Sequence, residues 1–115
     1  MRIGLIFPAR ELNSRIGRAA ARALEAAGEA GVSAVREQML TGYDQPVMDT
    51  GALRDSITFA ADGRTVRIGT AVPYAEPVHN GTARTPGRPF LTDGLMGAQD
   101  KIRTAMADSL SSALL

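Results

Sequence analysis

Apolar positions recur along this chain with two different periods, and the switches between them mark its elements. Residues 2–7 alternate loosely and predict a short first strand within residues 1–8, closed by Pro8. Over residues 9–40 the period becomes helical. Leu12, Ile16, Ala20, Ala23, Ala27, Gly31, Ala34 and Gln38 form a stripe flanked by Leu24, Val35 and Met39, while Arg15, Arg18, Arg22, Glu25 and Glu29 take the other face. Residues 41–54 predict a polar loop with Gly42 and Pro46, then a single helical turn over Asp49-Thr50-Gly51-Ala52-Leu53, capped by Asp49 or Thr50.

Strict alternation returns over residues 55–70, which predict a β-hairpin turning at Asp62-Gly63. Closing that turn with Ala61 opposite Arg64 sets Phe59 across from Val66 and Ile57 across from Ile68 on one face, with Thr58 and Arg67 paired on the other. Residues 71–90 predict a short helical turn around Tyr74 and Val78, ended by Gly81 in a left-handed conformation, and then an extended loop; Pro73 and Pro77 argue against a central strand. Over residues 91–114 the stripe Leu91, Leu95, Ala98, Ile102, Ala105/Met106, Ser109/Leu110 and Ala113 predicts one last helix.

These elements add up to a single α+β domain over residues 1–115, with a long N-terminal and a C-terminal helix packed on a small, mostly antiparallel sheet. The first helix raises a question of size. Thirty residues at about 1.5 Å each reach about 45 Å, whereas a compact chain of this length has a diameter of roughly 35 Å. Unbroken, the helix overhangs its domain and points to a neighbouring subunit; a kink between Gly28 and Gly31 removes the overhang.

Composition narrows the chemistry. With no cysteine there is no disulfide, zinc–thiolate site or thiol nucleophile. No run approaches the roughly 18 apolar residues of a membrane span, and the short apolar start does not read as a signal peptide, so the expected site of synthesis is the cytoplasm. Net charge is +1, too small to imply a polyanion partner. All basic residues but Lys101 are arginine, a side chain suited to bidentate contacts.

The single histidine, His79, has no second histidine or cysteine with which to hold a metal, and reads as a structural or surface residue. Ser56, His79 and Asp55 compose a triad only on paper, because Asp55 and Ser56 are neighbours without a nucleophile elbow. No lysine follows the glycines in a phosphate-loop spacing, and Asp49, Asp55 and Asp62 lack the spacing of a calcium loop. No catalytic, metal-binding or cofactor-binding residue is therefore assigned. Residues 51–90 carry five basic against three acidic groups, enough to keep contact with nucleic acid phosphates open as a second reading.

Four segments then stand in a telling order: Thr50-Gly51-Ala52-Leu53-Arg54-Asp55-Ser56-Ile57; Gly69-Thr70 followed by Val72-Pro73-Tyr74-Ala75; Val78-His79-Asn80-Gly81-Thr82; and Arg88-Pro89-Phe90-Leu91 leading into a helix. Over residues 49–95 this resembles the small neck, tail-completion or minor tail-component proteins of long-tailed bacteriophages and prophages. His79 stands where that family usually has a glutamate, and Asn80 where a residue is more often aromatic. The resemblance implies a structural virion subunit at the head–tail junction, without catalysis or cofactor, working as a hexameric or twelvefold ring. Its implied partners are further copies of itself, the adjoining neck, connector and tail-tube proteins and, in passing, genomic DNA; no membrane is involved. The expected subunit contacts lie on the loop at residues 81–89, through Gly81, Thr82, Arg84, Arg88 and Pro89, with the loop ordering against its neighbour. Phe90 is expected to anchor the loop's end in the core, and Tyr74 to be half-buried with its hydroxyl on a backbone group or the rim.

Overall fold

A computed structural model describes residues 1–6, 14–43, 51–62, 65–84 and 86–114. It places β1 at Arg2–Ile6, α1 at Ser14–Thr41, α2 at Ala52–Asp55, β2 at Thr58–Asp62, β3 at Thr65–Gly69, α3 at Ala75–Asn80, α4 at Phe90–Gly97 and α5 at Gln99–Leu114. The architecture is the α+β arrangement expected: a long N-terminal helix, a C-terminal helix, and a small antiparallel sheet of order β1-β3-β2 containing the hairpin.

α1 runs through Gly28 and Gly31 without a break. Both glycines are points of close approach. A Cβ at Gly28 would overlap the Phe59 ring, and one at Gly31 would collide with Ile68 Cδ1. The helix therefore lies directly on the hairpin, and its local preference for glycine-free sequence yields to that packing. Its buried face comprises Ala19, Ala23, Leu24, Ala27, Val32, Val35 and Met39. Ala20, Ala34 and Gln38, expected on the stripe, are only half-buried, because the sheet and the terminal helices draw the face round toward Leu24, Val35 and Met39. Residues 9–13 of the expected helix lie outside the described residues.

The hairpin differs in register from the expectation. Phe59 faces Ile68, Ala61 faces Val66, Ala60 faces Arg67 and Thr58 faces Gly69, with Asp62 opposite Thr65 at the closed end. A shift of two residues leaves every side chain on its face, so alternation does not distinguish the two registers. The backbone before the strand does. Ser56 N donates to Ala52 O and Ile57 N to Arg54 O, so both residues belong to the turn that ends α2. Ile57 is thereby withdrawn from the ladder and fully buried beneath it. Residues 63–64 lie outside the described residues.

Other expectations are also corrected. The N-cap of α2 is Gly51, at φ +82°, with no side-chain cap; the expected cap residues Asp49 and Thr50 lie outside the described residues. Gly81 does end α3 at positive φ, but at φ 87° and ψ 171°, an extended conformation open to glycine rather than the left-handed helical one. The last helix is two helices, parted at Ala98 with φ −108° and ψ 12°. Gly94 brings α4 so close to α1 that a Cβ there would stand 2.9 Å from Val35 Cα. The bend at Ala98 lets α5 realign so that Leu95 and Ile102 both stay buried along α1.

Phe90, Met39, Ile57, Ile68, Leu91, Val35 and Val66 form the fully buried centre between α1, the hairpin and α4. The molecule measures 52 × 22 × 21 Å with a radius of gyration of 15.5 Å, above the roughly 13 Å of a compact chain of its length. The 28 residues of α1 span about 42 Å of that long axis. Among the described residues no helix is long and apolar enough to cross a membrane.

Candidate functional site

The loop after α3 is tied down at its base. Gly81 and Pro86 form a β-bridge, Arg88 N donates to Val78 O at 2.9 Å, and Gly81 N donates to Pro77 O at 2.8 Å. Gly87 presses on the end of α3, since a Cβ there would stand 2.7 Å from the Asn80 carbonyl carbon. Arg84 N donates to Thr82 Oγ1 at 3.3 Å near the tip. The base of the loop expected to order against a neighbour is thus held by bonds within the chain. Thr82 and Arg84 are exposed, whereas Gly81, Arg88 and Pro89 are half-buried; Thr85 lies outside the described residues.

Phe90 is fully buried at the loop's end, as an anchor should be. His79 meets it edge-to-face, the ring centroids 5.3 Å apart at 82°. His79 Nδ1 lies 2.9 Å from Asn80 Oδ1, which accepts the ring proton, and Nε2 lies 3.4 Å from the Thr92 hydroxyl. His79 thus splices α3 to α4. Tyr74 departs from its expected place. It is 47% exposed, because it precedes α3 on the outside while the next residue, Ala75, takes the core position.

A second cluster, not anticipated from sequence, closes the loop from below. Tyr43, just past the end of α1, donates its hydroxyl to Asp93 Oδ2 at 2.7 Å. Burial, and then the Asp93 carboxylate, push its pKa up to about 12, against the opposing pull of Gln38 and the Arg88 guanidinium. The Arg88 guanidinium thus lies within electrostatic reach of the Tyr43 hydroxyl, while its backbone amide ties the loop's base to Val78. Only its tyrosine, one of two in the chain, singles Tyr43 out in the sequence.

The earlier segments converge as well. Ser56 Oγ donates to Leu53 O at 2.6 Å and so accepts from the Thr70 hydroxyl, also at 2.6 Å. Thr70 Oγ1 in turn accepts from Val72 N at 3.1 Å. Arg36, on the otherwise polar side of α1, donates from Nε to Arg54 O at 3.2 Å and from Nη2 to Ile57 O at 3.1 Å, bracing this junction from outside.

The paper triad is not assembled: Ser56 bonds to Leu53 and Thr70, His79 to Asn80 and Thr92, and Asp55 pairs with Arg54 at the surface. The basic residues of the middle segment sit on separate elements, Arg54 on α2, Arg67 on β3 and Arg84 and Arg88 on the loop; Arg64 lies outside the described residues. Among the described residues no group of three His, Asp or Glu side chains could hold a metal ion. Comparison with protein-family models, with curated proteins and with solved structures gives no match.

Proposed function

We propose that this chain is a structural subunit of the head–tail junction of a long-tailed phage or prophage particle, a neck, tail-completion or terminator component that works as a ring of identical copies. The reading starts from the four sequence segments that resemble that family. What supports it in three dimensions is that those segments interlock in pairs. The Ser56–Thr70 hydroxyl bond joins the first to the second. The Arg88-to-Val78 backbone bond and the His79–Phe90 ring contact join the third to the fourth. Val78 N also donates to Tyr74 O and so bridges the two pairs; the third and fourth segments together hold the base of the loop at residues 81–89, with Arg84 exposed.

In such a ring each copy uses two different surfaces, and a loop whose base is held before assembly loses less conformational freedom on docking. The neighbours are further copies of this chain and the adjoining connector and tail-tube proteins. The test is antibody–gold labelling of tailed particles, together with complementation by Arg84→Ala. Gold at the head–tail junction and a drop in tailed-particle yield with the variant are expected. Gold absent from tailed particles overturns the assignment, and salt-sensitive retention of duplex DNA by the isolated protein then redirects attention to the nucleic-acid reading.

A further inference from the structure

The outward face of α1 carries four charges in a fixed order. Arg18, Arg22, Glu25 and Glu29 are all exposed, and at 3.6 residues per turn they fall within an arc of about 60°. None has an ion-pair partner among the described residues; even Arg22 and Glu25, three residues apart, do not join. The order is unfavourable for a lone helix, since Arg18 with Arg22 and Glu25 with Glu29 are like charges one turn apart.

The same order is self-complementary when reversed. The pairs 18 with 29 and 22 with 25 share one midpoint, between residues 23 and 24. Two copies of α1 laid antiparallel about a two-fold axis at that midpoint set each Arg18 against the partner's Glu29 and each Arg22 against the partner's Glu25. Parallel copies in register would set arginine against arginine and glutamate against glutamate. The charges thus select both the occupant and its direction. Ala21, exposed, and Ala26, half-buried, flank the stripe and let two helix backbones come close. We infer that this face of α1 is an isologous docking surface for a second copy of the chain, paired antiparallel through four Arg–Glu contacts.

The surface is separate from the loop at residues 81–89, which is footed beside Tyr43 beyond the other end of α1. The inference does not rest on the proposed virion role.

Sedimentation velocity on the full chain tests it. At low ionic strength the mass should rise with concentration from 12.1 kDa toward twice that value. The dissociation constant should climb about tenfold or more as screening shortens from about 30 Å at 0.01 M to about 3 Å at 1 M salt. R18E/R22E and E25R/E29R should each stay monomeric alone and form a heterodimer when mixed. The chain with all four charges exchanged, R18E/R22E/E25R/E29R, should dimerise like the natural one, which guards against loss of folding in either double variant. A natural chain monomeric at every concentration, double variants that still self-associate, or a mixture that fails to pair would each overturn the inference.

Discussion

Tyr43 carries the clearest titration consequence in the molecule. Its hydroxyl proton is held in the folded state to about pH 12, against 10.0 for a free tyrosine. Below pH 10 both states keep the proton and the full stabilisation is present. Between pH 10 and 12 the unfolded chain binds fewer protons than the folded one, so stability falls as pH rises. Discounted for solvent at a half-buried site, the loss is on the order of 1 kcal/mol. Tyr43→Phe should abolish that decline, and it should remove the tyrosinate absorbance step near 12 in a spectrophotometric titration. Nothing in the local sequence of Tyr43 announces this, because its partner Asp93 is fifty positions away. His79 is different. Isolated among residues unable to share a metal, it reads from the sequence as a structural or surface residue, and the fold buries it with bonds to Asn80 and Thr92.

At the scale of elements, the glycines of α1 separate local preference from packing. Among the described residues a methyl group added at Gly17 would meet nothing within 4 Å, whereas Gly28 lies under the Phe59 ring. Gly17→Ala should therefore stabilise the protein by about 0.5–1 kcal/mol through helix propensity. Gly28→Ala should destabilise it by about 1–3 kcal/mol, because the added carbon must displace an aromatic ring. Urea unfolding followed by circular dichroism measures both, and equal shifts of the same sign would show that the helix does not rest on the hairpin. The amphipathic stripes of α1 and of α4 with α5 are readable in the sequence because a period of 3.6 is set by residues close together in the chain. The hairpin register and the bend at Ala98 are not. Each depends on a neighbour: the turn that consumes the Ile57 amide, and the surface of α1 that α4 must approach.

For the whole molecule, elongation and the loop carry the predictions. Small-angle scattering should return a radius of gyration near the 15.5 Å of the fold, clearly above the roughly 13 Å of a compact chain; the smaller value would contradict an unbroken α1. The two loop arginines should separate. Arg84→Ala, at an exposed position, should leave the melting temperature unchanged. Arg88→Ala should lower it by a few degrees, since Arg88 is half-buried and lies within electrostatic reach of the Tyr43 hydroxyl.

Periodicity, turn residues and the absence of cysteine are enough to establish an α+β chain with two helical regions, a hairpin and a loop opened by Gly81. Those features follow from interactions between residues a few positions apart, which the sequence displays side by side. The face that α1 buries, the approach of Arg88 and Asp93 to Tyr43, and the joining of Ser56 to Thr70 emerge only on folding. They depend on contacts between residues far apart in the chain, and the geometry of such contacts is settled by mutual packing rather than by local preference.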